Sequence, residues 1–275
     1  MGTHFDEIAA REARVFLPVV KRLPVAIVEG RGSRVRDADG REYVDLTGGW
    51  GVTAIGHSHP ELVQTIAEQA GRLMQTTNLF YTVPQLDLCE RLLGVVPDAL
   101  TRCFFVSSGA EAMDGALKLA HRATGRTKFV STTQSFHGRT LGALSIIGQE
   151  KHRSPYQRIV QEGCFVPFGD LAAARRAIDE NTAAFVVEPV QGEGGVHVAP
   201  DGYLHGLREL TREAGALLVL DEIQTGIGRT GRWLALDHSG VVPDAITLGK
   251  GLGGGFPIAA FLCTEDVAKT VSLGD

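Results

Sequence analysis

From Cys103 onward the sequence keeps one rhythm: a short apolar run, a turn rich in glycine or small polar residues, then a stretch with helical period. Cys103 to Val106, Phe129 to Ser131, Phe185 to Val187, Leu217 to Leu220 and Ile246 to Leu248 are the runs. Glu111 to Thr124, Leu171 to Glu180 and Tyr203 to Ala214 are the helical stretches between them. Parallel neighbours in a sheet need a crossover, so this alternation predicts an α/β fold: a mostly parallel sheet covered by helices. Ala216 to Leu220 and Ala245 to Leu248 show no polar alternation and read as strands buried on both faces. Ile258 to Cys263 follows Lys250 after only GLGGGFP, too short for a crossover helix, and predicts an antiparallel partner for the preceding strand.

The first hundred residues read differently. Ile8 to Phe16 is amphipathic, and Pro18 and Pro24 then interrupt any helix, so an arm over the surface is expected. Gly32 to Leu46 alternates apolar and polar residues around Asp39-Gly40, the signal of a two-stranded hairpin. Pro60 opens a helix running to about Met74, and Pro84 to Leu93 is a second. Residues 1–50 are therefore assigned to an N-terminal arm and hairpin, and residues 51–275 to a large domain.

Charge narrows the partners. A net charge of −5, with acids and bases scattered, leaves no basic stripe for nucleic acid and no polybasic patch for a membrane surface. Cys89, Cys103, Cys164 and Cys263 lie far apart with no Cys-x-x-Cys pair, which predicts free thiols in a reducing compartment and no metal site. The acidic N-terminal stretch lacks the pattern of a signal peptide, so the expected location is cytoplasmic.

Asp221 and Lys250 each close a predicted strand, and the carboxyl edge of an open α/β sheet is where ligands bind. Ser107-Ser108-Gly109-Ala110-Glu111 opens a helix directly after a strand, so its N–H groups and hydroxyls suit an anion such as a phosphate. A plain capping box by Ser108 and Glu111 accounts for the same residues. Phe136-His137-Gly138-Arg139 places an aromatic ring, an imidazole and a guanidinium in one turn, and Glu188 and Glu193 flank a glycine-rich loop. A lysine attacks a carbonyl carbon only as the neutral amine, and an aspartate facing a pyridine nitrogen keeps that nitrogen protonated. Cup, aromatic turn, aspartate and lysine together make the set that pyridoxal phosphate requires.

Two look-alikes lie in the same stretch. Gly226 to Gly231 matches G-x-G-x-x-G, yet DEIQT separates it from the strand and no helical period follows it. LLVLDE resembles a Walker B strand, but no Walker A loop accompanies it, because Gly249-Lys250 has Asp244 and Gly251 at the required glycine and Ser/Thr positions. A P-loop or dinucleotide-binding protein is thus the lesser alternative.

The blocks GREYVDLTGGWGVTAIGHSHP, NLFYTVPQLDLCERL, SSGAEAMDGALKLA, SFHGRT, VVEPVQGEGG, LDEIQTGIGRTG and TLGKGLGGGFPIAA resemble, in order, those of the class III, fold-type I aminotransferases. That family includes acetylornithine, ornithine and 4-aminobutyrate aminotransferases. The resemblance implies that Lys250 bonds the cofactor and later shuttles the proton, and that Asp221 pairs with the pyridinium nitrogen. It further implies Ser108, Gly109 and Ala110 at the phosphate, Phe136 and Ile223 on opposite ring faces, and Gln224 at the 3-hydroxyl. Arg139 is similar to the residue that binds the donor's α-carboxylate, Glu193 to the glutamate that masks a second arginine, and Trp50 to a substrate-binding tyrosine; Glu188 stands behind them. Ser107 departs from the family's asparagine. The implied reaction moves the amino group of acetylornithine or a related ω-amino acid to 2-oxoglutarate, in a homodimer. In that family residues 1–50 belong to a small domain, and Asp275 precedes its C-terminal part, so the expected architecture is a fold-type I large domain, incomplete at its C-terminal end, without the C-terminal small domain. An inactive fragment that keeps the cofactor residues is the other expectation to test.

Overall fold

The strands that lack polar alternation occupy the middle of a seven-stranded sheet, where both faces are covered. A computed structural model describes residues 4–275. It divides into two compact units, Met1–Phe80 and Tyr81–Asp275.

The first unit holds a helix at His4–Val15 and a three-stranded antiparallel sheet of β1 (Ile27–Arg31), β2 (Arg34–Asp37) and β3 (Glu42–Val44). The expected hairpin is β2 and β3, with Val35 opposite Tyr43. Asp37 anchors its turn by accepting from the N–H groups of Asp39 (3.0 Å) and Arg41 (2.8 Å) and from the Tyr43 hydroxyl (2.7 Å). The hairpin has an outer partner, β1, that patterning missed because its IVEGR segment has no clean alternation. The helix at Pro60–Arg72 begins at the proline that announced it.

The second unit contains β4 (Leu100–Val106), β5 (Lys128–Thr132), β6 (Cys164–Val166), β7 (Thr182–Val187), the short pair β8 (Val190–Gln191) and β9 (His197–Val198), then β10 (Leu217–Asp221), β11 (Ala245–Leu248) and β12 (Ala259–Thr264). The large sheet has the order β4-β12-β11-β10-β7-β5-β6. Six of these strands run the same way, and β12 runs against both its neighbours, as the short glycine connection requires. β12 also separates β4 from β11, so the strand that leads into the Ser108 turn lies at the sheet's edge.

Alternate residues of one strand feed opposite cores. Phe185, Val187, Leu218, Leu220, Ile246 and Leu248 pack with Leu204, Leu207 and Leu210 of the helix Tyr203–Ala214 on one face. Ala184, Val186, Val219 and Ala245 pack with Met113, Ala116, Leu117 and Ala120 of the helix Gly109–Thr124 on the other. Each large side chain so buried is worth about 1.5–3 kcal/mol against exposure, which fixes the strand register. By the same alternation Asp221 and Thr247 share the face covered by Gly109–Thr124, whose N-terminus therefore approaches them. The helix predicted from Leu171 stops at Ala177, where Ile178 turns extended. Among the described residues no helix is long and apolar enough to cross a membrane.

Candidate functional site

The carboxyl ends of β10 and β11 lie side by side, with Asp221 paired in register with Thr247. Asp221 is 3% exposed and spends both carboxylate oxygens inside the protein. Oδ1 accepts from the Ile223 N–H (3.0 Å) and the Thr247 hydroxyl (3.2 Å), while Oδ2 lies 2.7 Å from Nδ1 of His137. His137 Nε2 is in turn 3.1 Å from the Ser131 hydroxyl, itself 3.2 Å from that of Ser135. Burial opposes charge on His137, but the hydrogen bond and charge of Asp221, with the charge of Glu188, more than offset it and raise its pKa. The histidine of the SFHGRT turn is thus wired to the strand-end acid, which its position in the sequence did not disclose.

Lys250 follows β11 by one glycine and sits in the left-handed region, with φ of 42°. A residue without glycine's freedom holds that conformation only where its surroundings impose it. Burial lowers the pKa of its amine, partly countered by the charges of Asp221, Glu193 and Glu188, and Arg229 adds to the lowering. The same four residues are the charged groups that Lys250 senses most, so the two strand ends and the loop after β7 converge on it.

Ile223 joins the parts. A Cβ added at Gly109 would fall 2.8 Å from its Cδ1, and one at Gly249 would fall 3.3 Å from its Cγ2. The Ser108 turn and the Lys250 turn therefore both rest on this one side chain. Ser108 caps the helix Gly109–Thr124 in a full capping box: its hydroxyl accepts from the Glu111 N–H (3.3 Å), and Glu111 accepts from the N–H groups of Ser107 (2.8 Å) and Ser108 (2.9 Å). The plain structural account of that motif holds for Ser108 and Glu111. Gly109 and Ala110 are the first two helical residues, whose N–H groups point out of the helix end.

The Phe136 turn closes against that helix end at Gly138. Its φ of 128° is glycine territory, and a Cβ there would come within 2.6 Å of the Ala110 Cβ. Glu188, buried at the end of β7, accepts from the Phe136 N–H at 3.1 Å and more weakly from the Gly192 N–H at 3.4 Å. It thereby ties the aromatic turn to the Glu193 loop, and burial, reinforced by Asp221 and moderated by His137, pushes its pKa up to about 7. The Gln224 side-chain amide lies directly over Gly192, so a side chain at that position would require Gln224 to move. The Arg139 guanidinium carbon is 6.0 Å from the Phe136 ring centroid, and both Arg139 and Glu193 are exposed. Trp50 lies in the first unit, 71% exposed and at a φ of 58°.

The look-alike motifs do not form the sites they resemble. Glu222 of LLVLDE is fully buried and accepts from the N–H groups of Ala235 (3.0 Å) and Leu236 (2.7 Å) and from the Thr225 hydroxyl, which makes it a tie for the following loop. Gly226 to Gly231 forms successive turns and leads to a short 3-10 turn, Ala235–His238, with no helix for a pyrophosphate to cap. Thr247 escaped sequence reasoning, although the parallel register of two strands of equal role was the signal that would have found it. Ser131 was visible only as the last polar residue of an apolar run, whereas Glu188 was singled out beside the glycine-rich loop.

The mixed α/β sheet thus carries an acid and an amine at adjacent strand ends, beside a helix N-terminus and an aromatic turn. The chain belongs to the class-III aminotransferase family, whose model matches residues 17–275. It is 46% identical over 254 residues to the acetylornithine aminotransferase of Methanopyrus kandleri, covering 92% of this chain and 65% of that protein. It is 48% identical over 251 residues to that of Mycolicibacterium smegmatis, covering 91% of this chain and 64% of the relative. A Toxoplasma gondii ornithine aminotransferase structure with partial occupancy of PLP at its active site superposes with a TM-score of 0.92 at 33% identity, covering 99% of this chain and 66% of that one. The chain thus spans about two thirds of the length of these relatives.

Proposed function

We propose that the chain carries the cofactor and donor residues of a pyridoxal phosphate-dependent aminotransferase that takes an amino group from acetylornithine or a related ω-amino acid and gives it to 2-oxoglutarate. The observation that carries this reading is the convergence of Asp221, buried and tied to His137, and Lys250, with a depressed pKa, around Ile223. Family membership and 46% identity to an acetylornithine aminotransferase support the reaction class and the first choice of donor.

The residues present fit the cofactor. A helix N-terminus with free-pointing N–H groups at Gly109 and Ala110 suits its phosphate, and the absence of a Cβ at Gly109 lets Ile223 fill the space beneath. Pyridoxal phosphate, when bound, supplies an aldehyde that takes up the amino group and a pyridinium ring that draws electrons from the donor carbon. Asp221 would hold a proton on the ring nitrogen, and the His137–Ser131 chain holds Asp221 in orientation. Lys250 would supply the amine that holds the aldehyde and would carry the proton at its Nζ; its depressed pKa favours the neutral, nucleophilic form. Phe136 would cover one ring face and Ile223 the other, Ser108 and Gln224 would reach the phosphate and the ring hydroxyl, Arg139 would receive the donor's carboxylate, Glu193 would mask a second arginine, and a donor contact is proposed for Trp50 of the first unit. The exposed run Leu79-Phe80-Tyr81 supports assembly as a homodimer, and sedimentation of a monomer at micromolar concentration contradicts it.

The test is spectroscopic. The chain mixed with pyridoxal phosphate develops a visible band from the lysine–cofactor bond that shifts on adding N-acetylornithine and is absent in Lys250→Ala. No band in the wild-type chain contradicts the reading and favours a fragment that keeps the residues without turnover.

A further inference from the structure

His152 carries no motif, and the fold brings it to the wall of the site. It lies on the short helix Glu150–Arg153, which is drawn inward at Gly148. The Gly148 N–H donates to Ser135 (3.1 Å to the carbonyl, 3.0 Å to the hydroxyl), and its carbonyl accepts from the Gln134 N–H at 3.3 Å. A Cβ at position 148 would fall 2.0 Å from the Thr132 carbonyl oxygen, so the crossing admits no side chain. Beyond it, the His152 ring stands edge-on to Phe136, with centroids 6.0 Å apart and planes at 81°. Arg139 lies 6.0 Å from the same Phe136 centroid, so imidazole and guanidinium flank one aromatic ring. Arg139, Lys151 and Glu193 are the charged groups that act on His152, and Phe136 is its uncharged neighbour. Arg139 and Glu193 are exposed, whereas His152 is half-buried.

We propose that His152 is a second recognition group for the substrate's carboxylate, donating a ring N–H to the same carboxylate that Arg139 holds and so selecting donors and acceptors by the placement of that group. The proposal rests on the site reading above. Burial and the charges of Arg139 and Lys151 keep the free imidazole's pKa below its ordinary value, with Glu193 opposing, so near neutrality the ring is an uncharged donor. A carboxylate placed between Arg139 and His152 reverses that balance and favours the imidazolium. Binding therefore takes up a proton, and affinity falls as pH rises through the range where the bound ring is charged and the free ring is not.

Isothermal titration of glutarate, an unreactive dicarboxylate, into the chain loaded with pyridoxal phosphate tests this, run at pH about 6.5 in two buffers of different ionisation heat. Wild type takes up protons on binding. His152→Phe keeps a ring against Phe136, loses the uptake and binds glutarate about tenfold more weakly, the worth of one hydrogen bond to a charged group. His152→Gln keeps an N–H donor, so it retains most of the affinity while losing the uptake. Arg139→Ala loses most of the binding. If His152→Phe matches wild type in uptake and affinity while Arg139→Ala fails to bind, the His152 proposal is overturned and the carboxylate site stands. If neither variant changes glutarate binding, the carboxylate site itself is wrong and His152 falls with it.

Discussion

The two sides of the site around Phe136 are built on opposite terms. On the side of Asp221, every polar group is buried and answered: carboxylate to imidazole, imidazole to hydroxyl, hydroxyl to hydroxyl. On the side of Arg139 and Glu193 the charged groups stand on loops and are exposed, with the Phe136 ring beside Arg139 and His152 edge-on to that ring. A charge that must stay fixed against a cofactor is held by strand ends in a dry interior, whereas groups that read a variable substrate sit where loops change without disturbing the sheet. Relatives that share the first side need not share the second.

The sharpest break of this comparison is Asp221→Ala. It leaves the buried His137 ring without its carboxylate, and removing one partner of such a pair costs about 3–5 kcal/mol. Urea unfolding of the cofactor-free chain measures it, and an effect below about 1 kcal/mol would mean that the buried side is not the tightly answered network described. The pH dependence of stability follows next. Glu188 has its pKa raised from 4.5 to about 7, so its contribution is full below 4.5 and is lost as pH climbs to 7, by roughly 3 kcal/mol at most. His137, also raised, contributes below its ordinary range and loses that contribution as pH passes its folded value, which has the same sign. Stability of the wild-type chain falls from pH 5 to 8 by about 2–3 kcal/mol, and Glu188→Gln flattens most of that slope. Gly138→Ala comes third, at about 1–3 kcal/mol, since it forces a side chain into a φ of 128° against Ala110. The smallest effect on stability belongs to the exposed side: Arg139→Ala shifts unfolding by less than about 0.5 kcal/mol yet raises KM for a carboxylate-bearing donor about tenfold or more with kcat less affected. A stability loss in Arg139→Ala as large as that in Asp221→Ala would erase the distinction between the two sides.

The parallel sheet was legible because Phe185 to Val187 and Leu217 to Leu220 are apolar at every position, a pattern that only two-sided burial explains. The reversed strand β12 was legible from the length of GLGGGFP alone. β1 and β6 were not, since IVEGR alternates poorly and CFV is too short to show a period. In the site, Asp221 and Lys250 announced themselves as charges ending apolar runs. The partners that orient Asp221 did not, because His137 and Thr247 acquire that role only through contacts across 84 and 26 residues that topology creates. Ser108 was ambiguous in sequence between a helix cap and an anion cup. The structure shows the cap, beside the N–H groups of Gly109 and Ala110 at the helix end.

The central claim is that the acid of β10 and the amine after β11 serve one bound ring. Borohydride reduction of the chain after incubation with pyridoxal phosphate, followed by peptide mapping, tests it most directly. The account predicts a stoichiometric cofactor adduct on Lys250, with Lys21, Lys118, Lys128, Lys151 and Lys269 unmodified. An adduct spread over those lysines, or absent from Lys250, would contradict it.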